Sequence, residues 1–485
     1  MSLLVRSDTY IKTILQPTYD FTNEFYFPYI VEVNIAHIIM LTEQNLLKVE
    51  EAVPIVDYLQ KLHTKPTFKQ AYNSQYEDLF FMIEAELEEK FGKKIVGDIH
   101  IAFSRNDMDA TMFRMCWRKQ VNTVMKRITR LQSVILALVE KHKDTVMPAY
   151  THNQQAQPTT LAHYLLAINA HLARDIQRGR DLYQKINLSP MGAAALGTTG
   201  FPIDRGRMAE LLGFNGIIEN SYDAIAANDY MLEAASFLSI SLSTLSRVVY
   251  DLLFLATNET NGILLDEQHV QTSSIMPQKR NPSALEHCRA QISRAIGGLQ
   301  GITYMSHSVP FGDIVDIGDD IQPILAEGFE NSVTIYDLLT EIIACMQVNK
   351  EILYERCANG FSTVTELADL LVRNYQLPFR TAHQVVSSFV TQLTKEKQTL
   401  ADGNAAMVNQ VAKKLNVPLN LTDEDFKLAI DPNQFVQVRS VTGGPSKSEV
   451  SRQHQKACKS VNEVHRFINQ VDKQLQRYPE KLKLH

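Results

Sequence analysis

The sequence predicts a mainly α-helical protein, and three observations carry that prediction. Apolar residues recur at intervals of three and four along most of the chain, with few alternating runs bounded by turns. Only 20 glycines and 17 prolines occur in 485 residues. Many of them gather in four loops, SPMGAAALGTTGFPIDR at 189–205, MPQKRNP at 276–282, VPFGDIVDIGDD at 309–320 and SVTGGPS at 440–446, so long uninterrupted helices must fill the remainder. The composition, 45% hydrophobic and 21% charged, is that of a globular chain able to bury a sizeable core, at a length that allows about two to four domains.

Three long helices read clearly: Thr159 to about Ile186, Ser221 to Leu255, and Pro282 to about Met305. Each carries apolar residues on more than one face, the pattern of a helix surrounded by other helices. An unbroken helix from Ser221 to Leu255 would span roughly 50 Å, more than one compact monomer covers, so a bundle shared between subunits is expected. Loop-like FSRND and NGFST interrupt the helical pattern near Met108 and Gly360. They divide the chain into an N-terminal helical domain (1–108), a central long-helix domain (109–359) and a C-terminal helical domain (360–485).

Charge and cysteine usage narrow the function classes. With 54 acidic and 48 basic side chains, net −6, and no long basic stripe, the chain lacks the footprint of a nucleic-acid binder. Five separated cysteines without a CxxC pair suggest neither a disulfide framework nor a zinc site, and fit a reducing cytoplasm. The opening MSLLVRSDTYIKTILQ has too short an apolar run for a secretory signal. The most apolar long segment, from Met231, is interrupted by Glu233, Arg247 and Asp251, which reads as a buried helix and not a membrane span. No cluster has metal-ligand spacing. GAAALGTTGFP lacks both GxGxxG and a P-loop lysine, so no phosphate cradle is suggested.

The stretch TSSIMPQKRNP, Thr272 to Pro282, resembles the GSSxMPxKxNP signature of the fumarase/aspartase superfamily, with Thr272 where glycine is usual. FSRNDMDA from Phe103 resembles the SRNDQ motif of argininosuccinate lyases, and YTHNQQAQPTTLAHYLL from Tyr150 resembles their YTHLQRAQP segment. The likeness continues through NSYDAIAANDYMLE to STVTELADLLVRNYQLPFRTAH, and so covers most of the chain from about Glu77. It implies a fumarase/aspartase-type fold of three helical domains, with a long central helix bundle shared in a homotetramer. It also implies active sites drawn from three subunits, a small-molecule substrate of the N-substituted aspartate class, and no cofactor.

Eliminating an amine from a succinyl group requires a base for a weakly acidic C–H, and donors that hold a dianionic carboxylate as charge moves onto it. The resemblance makes Ser273 that base, acting as an alkoxide on a mobile loop. An unaided serine is too weak an acid, so Lys279, nearby amides and exclusion of water must favour the anion. Lys279 and Asn281 would hold one carboxylate, and Arg105 and Asn106, with Ser104 beside them, the second, since the arginine fork suits a carboxylate. Ser104 and Asp107 equally suit a helix-opening turn. The resemblance also implies that His152 pairs with Glu286, and that with Thr151 it assists the departing nitrogen or binds substrate. Thr198 and Thr199 fit either a substrate contact or a structural turn.

The likeness fails on one side of the reaction. Where argininosuccinate lyases carry a segment like YNRDLQEDK, this chain has VPFGDIVDIGDDIQ, with Val315 and Gly318 near the usual Gln and Lys. EDIH becomes EDLF at Phe80, SDRD becomes AAND at Asn228, and Met108, Asn153 and Asn34 replace Gln, Leu and Ser. The WGGRF opening is not visible. The fumarate side is therefore retained while the amine side differs, and a changed polar pocket alters discrimination strongly. Argininosuccinate or another N-substituted aspartate is the expected substrate. The competing readings are an aspartase- or adenylosuccinate lyase-type enzyme and a non-catalytic, crystallin-like protein.

Overall fold

A computed structural model describes residues 6–484; residues 1–5, part of the opening stretch weighed above, lie outside the described residues. The helices that position the site are α1 (Phe27–Glu43), α2 (Leu79–Phe91), α3 (Arg105–Lys141), α4 (Leu161–Ile186), α5 (Ser221–Ala226), α6 (Asp229–Leu255), α7 (Ser283–Ser306), α8 (Ile321–Cys345), α9 (Val364–Tyr375), α10 (Phe379–Lys395) and α11 (Lys447–Arg477). Two short antiparallel pairs bear on the site: β1 (Val146–Thr151) with β2 (Gln154–Thr160), and β3 (Gln271–Thr272) with β4 (Arg280–Asn281). The expected mainly α fold is present.

The longest helix, α3, has no glycine or proline among its 37 residues, so nothing in its interior breaks the hydrogen-bond ladder. Ser104 starts it: its side chain accepts from the Asn106 N–H while Asp107 reaches back to the Ser104 N–H, a reciprocal capping box. Around α3 pack α4, α8 and α11, and α6 and α7 complete the bundle. Trp117 of α3 stacks on Phe329 of α8 with ring centroids 5.6 Å apart. One close approach depends on glycine, since a Cβ on Gly328 of α8 would stand 2.5 Å from Leu299 Cδ2 of α7.

Two of the three expected long helices agree with α4 and α7 to within a turn. The third is corrected. The stretch from Ser221 to Leu255 is two helices, because Ala227 adopts an extended backbone (φ −69°, ψ 120°) and the chain turns before Asp229. Asn220 caps the short first piece by accepting from the Tyr222 and Asp223 N–H groups. The second piece, 27 residues, spans about 40 Å. It is long and apolar enough to cross a bilayer, but Ala234, Leu238, Leu242, Leu245 and Val249 lie in the core. Its other face exposes Ile240 (44%) and Tyr250 (52%).

Beyond Gly360 the chain contributes to two cores. Helix α10 places Ala382, Val385, Val386, Phe389 and Leu393 on one face, against Leu367 and Leu371 of α9. Helix α11 instead returns to the main bundle, where Val450, Val461, Val464, Ile468 and Val471 join the large core.

Candidate active site

At the N-terminal end of α3, the capping box fixes where its neighbours point. The Ser104 hydroxyl donates to Asn106 Oδ1 at 2.8 Å. Arg105 reaches Asp78 at 2.5 Å and Glu77 at 3.7 Å, and its guanidinium lies 4.9 Å from the Phe81 ring centroid. Asp78 is itself the cap of α2, accepting from the Phe81 N–H at 3.0 Å. Arg105 therefore pins two helix starts together while remaining partly exposed.

The loop 191–204 lies against this end of α3. Gly192 and Ala194 N–H groups donate to the Asp107 carboxylate at 2.9 and 3.0 Å. The Thr198 N–H donates to Ala193 O, and Thr199 Oγ1 accepts from the Phe201 N–H at 3.2 Å. Asp107 thus ties the loop that carries Thr198 and Thr199 to the helix start that carries Ser104, Arg105 and Asn106.

The segment 309–320 brings carboxylates to the same place. Buried Gln322 is its anchor: Oε1 accepts from Trp117 Nε1–H at 3.0 Å and from the Tyr26 hydroxyl at 2.9 Å, and Nε2–H donates to Ile317 O at 2.8 Å. A cavity of about 210 Å³ there is lined by Asp78, Asp109, Asp319, Phe21, Phe80 and Met108, among others. Lost hydration, and then the Asp78, Asp313 and Asp319 carboxylates, hold Asp109 well above the usual carboxylate range. Lost hydration on the pocket side, then Asp320, Asp78 and Asp313, push Asp319 up to about 6. Arg105 is the cation that opposes both shifts. Sequence reasoning missed Asp78, Asp109, Asp313 and Asp319 as site residues; the available signal was the density of aspartates in DIVDIGDD.

The other expected residues lie elsewhere. Thr151 and His152 sit at the tip of the β1–β2 hairpin, which sequence reasoning did not foresee. Its central residues His152 (φ 54°) and Asn153 (φ 57°) both have positive φ, with Thr151 paired to Gln154, the pattern of a type I′ turn. Asn153 suits that conformation. Tyr150 packs edge-on against Phe254 of α6, centroids 5.0 Å apart.

The signature stretch forms a loop closed by pairing of Gln271 with Asn281 and Thr272 with Arg280. Inside it, Ser273 Oγ accepts from the backbone N–H groups of Ile275 (3.3 Å) and Met276 (3.1 Å), and the Lys279 N–H returns to Met276 O at 3.0 Å. Two N–H dipoles directed at one serine oxygen favour its anion. Ile275 is 82% exposed at the loop's outer edge. Glu286 follows on the exposed side of the first turn of α7. No hydrogen bond joins His152 to Glu286 within the chain among the described residues.

Helix length explains the separation. Arg105 opens α3 and β1 begins just beyond its other end, so the 37 residues put about 55 Å between them. A six-residue strand folding straight back would recover only about 20 Å. One chain cannot bring His152 to Arg105.

Comparison with known proteins places this mainly α bundle, with its serine-bearing closed loop and capped SRND helix start, among the lyases. A family model described as Lyase matches residues 20–297, and one described as Argininosuccinate lyase C-terminal matches residues 361–437. The chain belongs to the fumarase/aspartase superfamily of lyases and carries the argininosuccinate lyase C-terminal region. It is 37% identical to the argininosuccinate lyase of Methanocaldococcus jannaschii over 445 residues, covering 92% of this chain and 90% of that one. Argininosuccinate lyase 2 of Agrobacterium fabrum is 35% identical, over 90% of this chain and 87% of its own. Among solved structures, an EDDS lyase variant with bound fumarate superimposes with a TM-score of 0.87 at 31% identity, over 96% of this chain and 94% of that chain. The class II fumarase of Schistosoma mansoni, at 14% identity, TM-score 0.70 and coverage of 88% and 92%, shares the fold.

Proposed function

We infer that the protein eliminates an amine from an N-substituted aspartate and releases fumarate. The observation that carries this is the signature loop, in which two N–H groups converge on Ser273 Oγ with Lys279 in the same closed turn. In this reading Ser273 removes the proton from the carbon beside a succinyl carboxylate held by Lys279 and Asn281. The electron pair moves onto that carboxylate and returns to form the carbon–carbon double bond as the C–N bond breaks, and the departing nitrogen takes a proton from solvent. Ser104, Arg105, Asn106, Thr198 and Thr199 bind the other carboxylate. Thr151 and His152, with Glu286 of a neighbouring copy, face the departing nitrogen.

The acidic cavity supports a positively charged amine. Asp78, Asp109, Asp313 and Asp319 surround one Arg105, so a cation entering there relieves like-charge repulsion. The relatives' activities make argininosuccinate and EDDS the first substrates to try.

The distance along α3 supports an assembly in which neighbouring copies complete each site, a homotetramer in this superfamily. The unpartnered side of the bundle, with Ile240, Tyr250 and Tyr304 (71% exposed), is the apolar surface such an assembly would bury. Five unpaired cysteines suit a reducing cytoplasm.

The test is fumarate release, followed by ultraviolet absorbance, from argininosuccinate, EDDS and other N-substituted aspartates. One substrate should turn over steadily, and Ser273→Ala should lower its rate by about a thousandfold or more with helix content and assembly unchanged. Silence across the panel sinks the proposal. A fully active Ser273→Ala sinks the role of Ser273.

A further inference from the structure

Asp107 does more than cap α3. A helix cap requires one carboxylate oxygen, and Oδ1 meets that need by accepting from the Ser104 N–H at 3.1 Å. Oδ2 is committed to a segment some 85 positions away in sequence, accepting from the Gly192 and Ala194 N–H groups at 2.9 and 3.0 Å. The side chain is fully buried, unlike an ordinary capping residue at a helix end. Lost hydration pushes its carboxyl up to about 6, and the N–H groups of Ala194, Gly192 and Ser104 oppose that shift.

The segment it holds cannot hold itself. Gly192 (φ +83°), Ala194 (φ 49°), Leu196 (φ 75°) and Thr198 (φ 57°) all have left-handed backbone, which is unfavourable for the three that carry a Cβ and persists only where surroundings enforce it. From Asp107 the restraint passes directly toward the site. Ala194 is bonded to the carboxylate, Ala193 O accepts from Thr198 N–H at 2.9 Å, and Thr199 follows. On the far side, the Arg205 guanidinium donates to Met191 O at 3.1 Å and Ile218 O at 2.9 Å, and the Ser221 hydroxyl donates to Leu196 O at 2.6 Å. Room to slide is absent at Gly192, where an added Cβ would stand 2.7 Å from Arg205 Cγ.

We propose that Asp107 is a positioning residue of the elimination, clamping the loop 191–199 onto the start of α3 so that Arg105, Asn106, Thr198 and Thr199 present one carboxylate-binding surface. This rests on the fumarate-releasing reading above. Asp107 touches no substrate; it acts through the loop and through Ser104.

Asp107→Asn tests it. The amide keeps the size and the Ser104 bond, but places an NH₂ where two N–H donors converge. Expected are a loss of about a hundredfold in kcat/KM, a rise of about tenfold in the inhibition constant of fumarate, and faster exchange of the Gly192 and Ala194 amides. Helix content and assembly should be unchanged. The fumarate constant separates positioning from a mere loss of folded enzyme, which would leave it unaltered. A variant with wild-type kcat/KM and fumarate affinity overturns the clamp alone, whereas a wild type that releases no fumarate overturns the lyase reading and the clamp with it. Should Asp107→Asn fail to fold, Arg205→Lys loosens the same loop from its other side. It should raise the fumarate constant similarly, and a wild-type value there overturns the proposal.

Discussion

The Arg105 guanidinium lies 2.5 Å from the Asp78 carboxylate, so the first residue of α3 is bonded to the cap of α2. Both side chains are about one-third exposed, and an ion pair so placed contributes no more than about 1 kcal/mol to stability. Asp78→Asn should keep the helix cap, since asparagine caps as well as aspartate, and should barely change thermal unfolding. Fumarate release should nevertheless fall by about tenfold or more, because Arg105 loses the partner that aims it. Equal losses of stability and activity would contradict this.

Specificity for a cationic amine should reside in the segment 309–320. Replacing Asp313 and Asp319 together by asparagine is expected to raise KM for a positively charged substrate about tenfold, with kcat little changed. It should leave a substrate with a neutral amine unaffected. Steady-state kinetics on one substrate of each kind decides the point, and an equal effect on both would remove these aspartates from amine recognition.

If neighbouring copies complete each site, two inactive variants should rescue one another. Arg105→Ala and Ser273→Ala, unfolded and refolded together, should recover up to about a quarter of wild-type activity, since some sites then combine intact residues from different chains. Each alone should remain inactive. No recovery from a mixture shown to have exchanged subunits would mean that each site is built from one chain.

Asp107 makes stability and activity move in opposite directions with pH. Its folded value of about 6 lies above its ordinary 3.8, so between those values the folded protein binds more protons than the unfolded chain. Stability from this group is therefore lost as pH rises from about 4 to 6 and is constant above. Activity should rise about a midpoint near pH 6, as the carboxylate of the folded enzyme ionises, with the Arg205 charge favouring that form. The unfolding free energy of wild type minus that of Asp107→Asn should decline through this window. A difference that is flat from pH 4 to 7 would contradict the assignment.

The parts of this protein legible in the sequence are those in which side-chain chemistry at fixed spacing does the work. Ser273, Lys279 and Asn281 stand within nine residues and fold as one closed loop, and Ser104 to Asp107 open a helix in a single turn. Helices α4 and α7 follow from apolar faces and clear ends. The β1–β2 hairpin was invisible because QQAQPTT is polar on both sides and prolines fall in both strands, so no period of two marks it. The break at Ala227 was invisible because AAND contains neither glycine nor proline. The acidic cavity was only half legible: DIVDIGDD showed its aspartates, but Asp78 and Asp109 join Asp319 only after the starts of α2 and α3 and the segment 309–320 have packed together.

Gln322 accepts from both Trp117 and Tyr26 through one oxygen, which fastens the segment 309–320 at its downstream end to the deepest part of the bundle. Upstream, the segment leaves the end of α7 and rests on the surface through Phe311, stacked on Tyr222 of α5 with ring centroids 5.8 Å apart. On the proposed reading such a span is a cassette, whose sequence between Ser306 and Ile321 can change while the scaffold and the Ser273 loop stay as they are. For divergence or for design, that reading would let new amines be accommodated by rewriting these positions, provided the glutamine that docks them is kept.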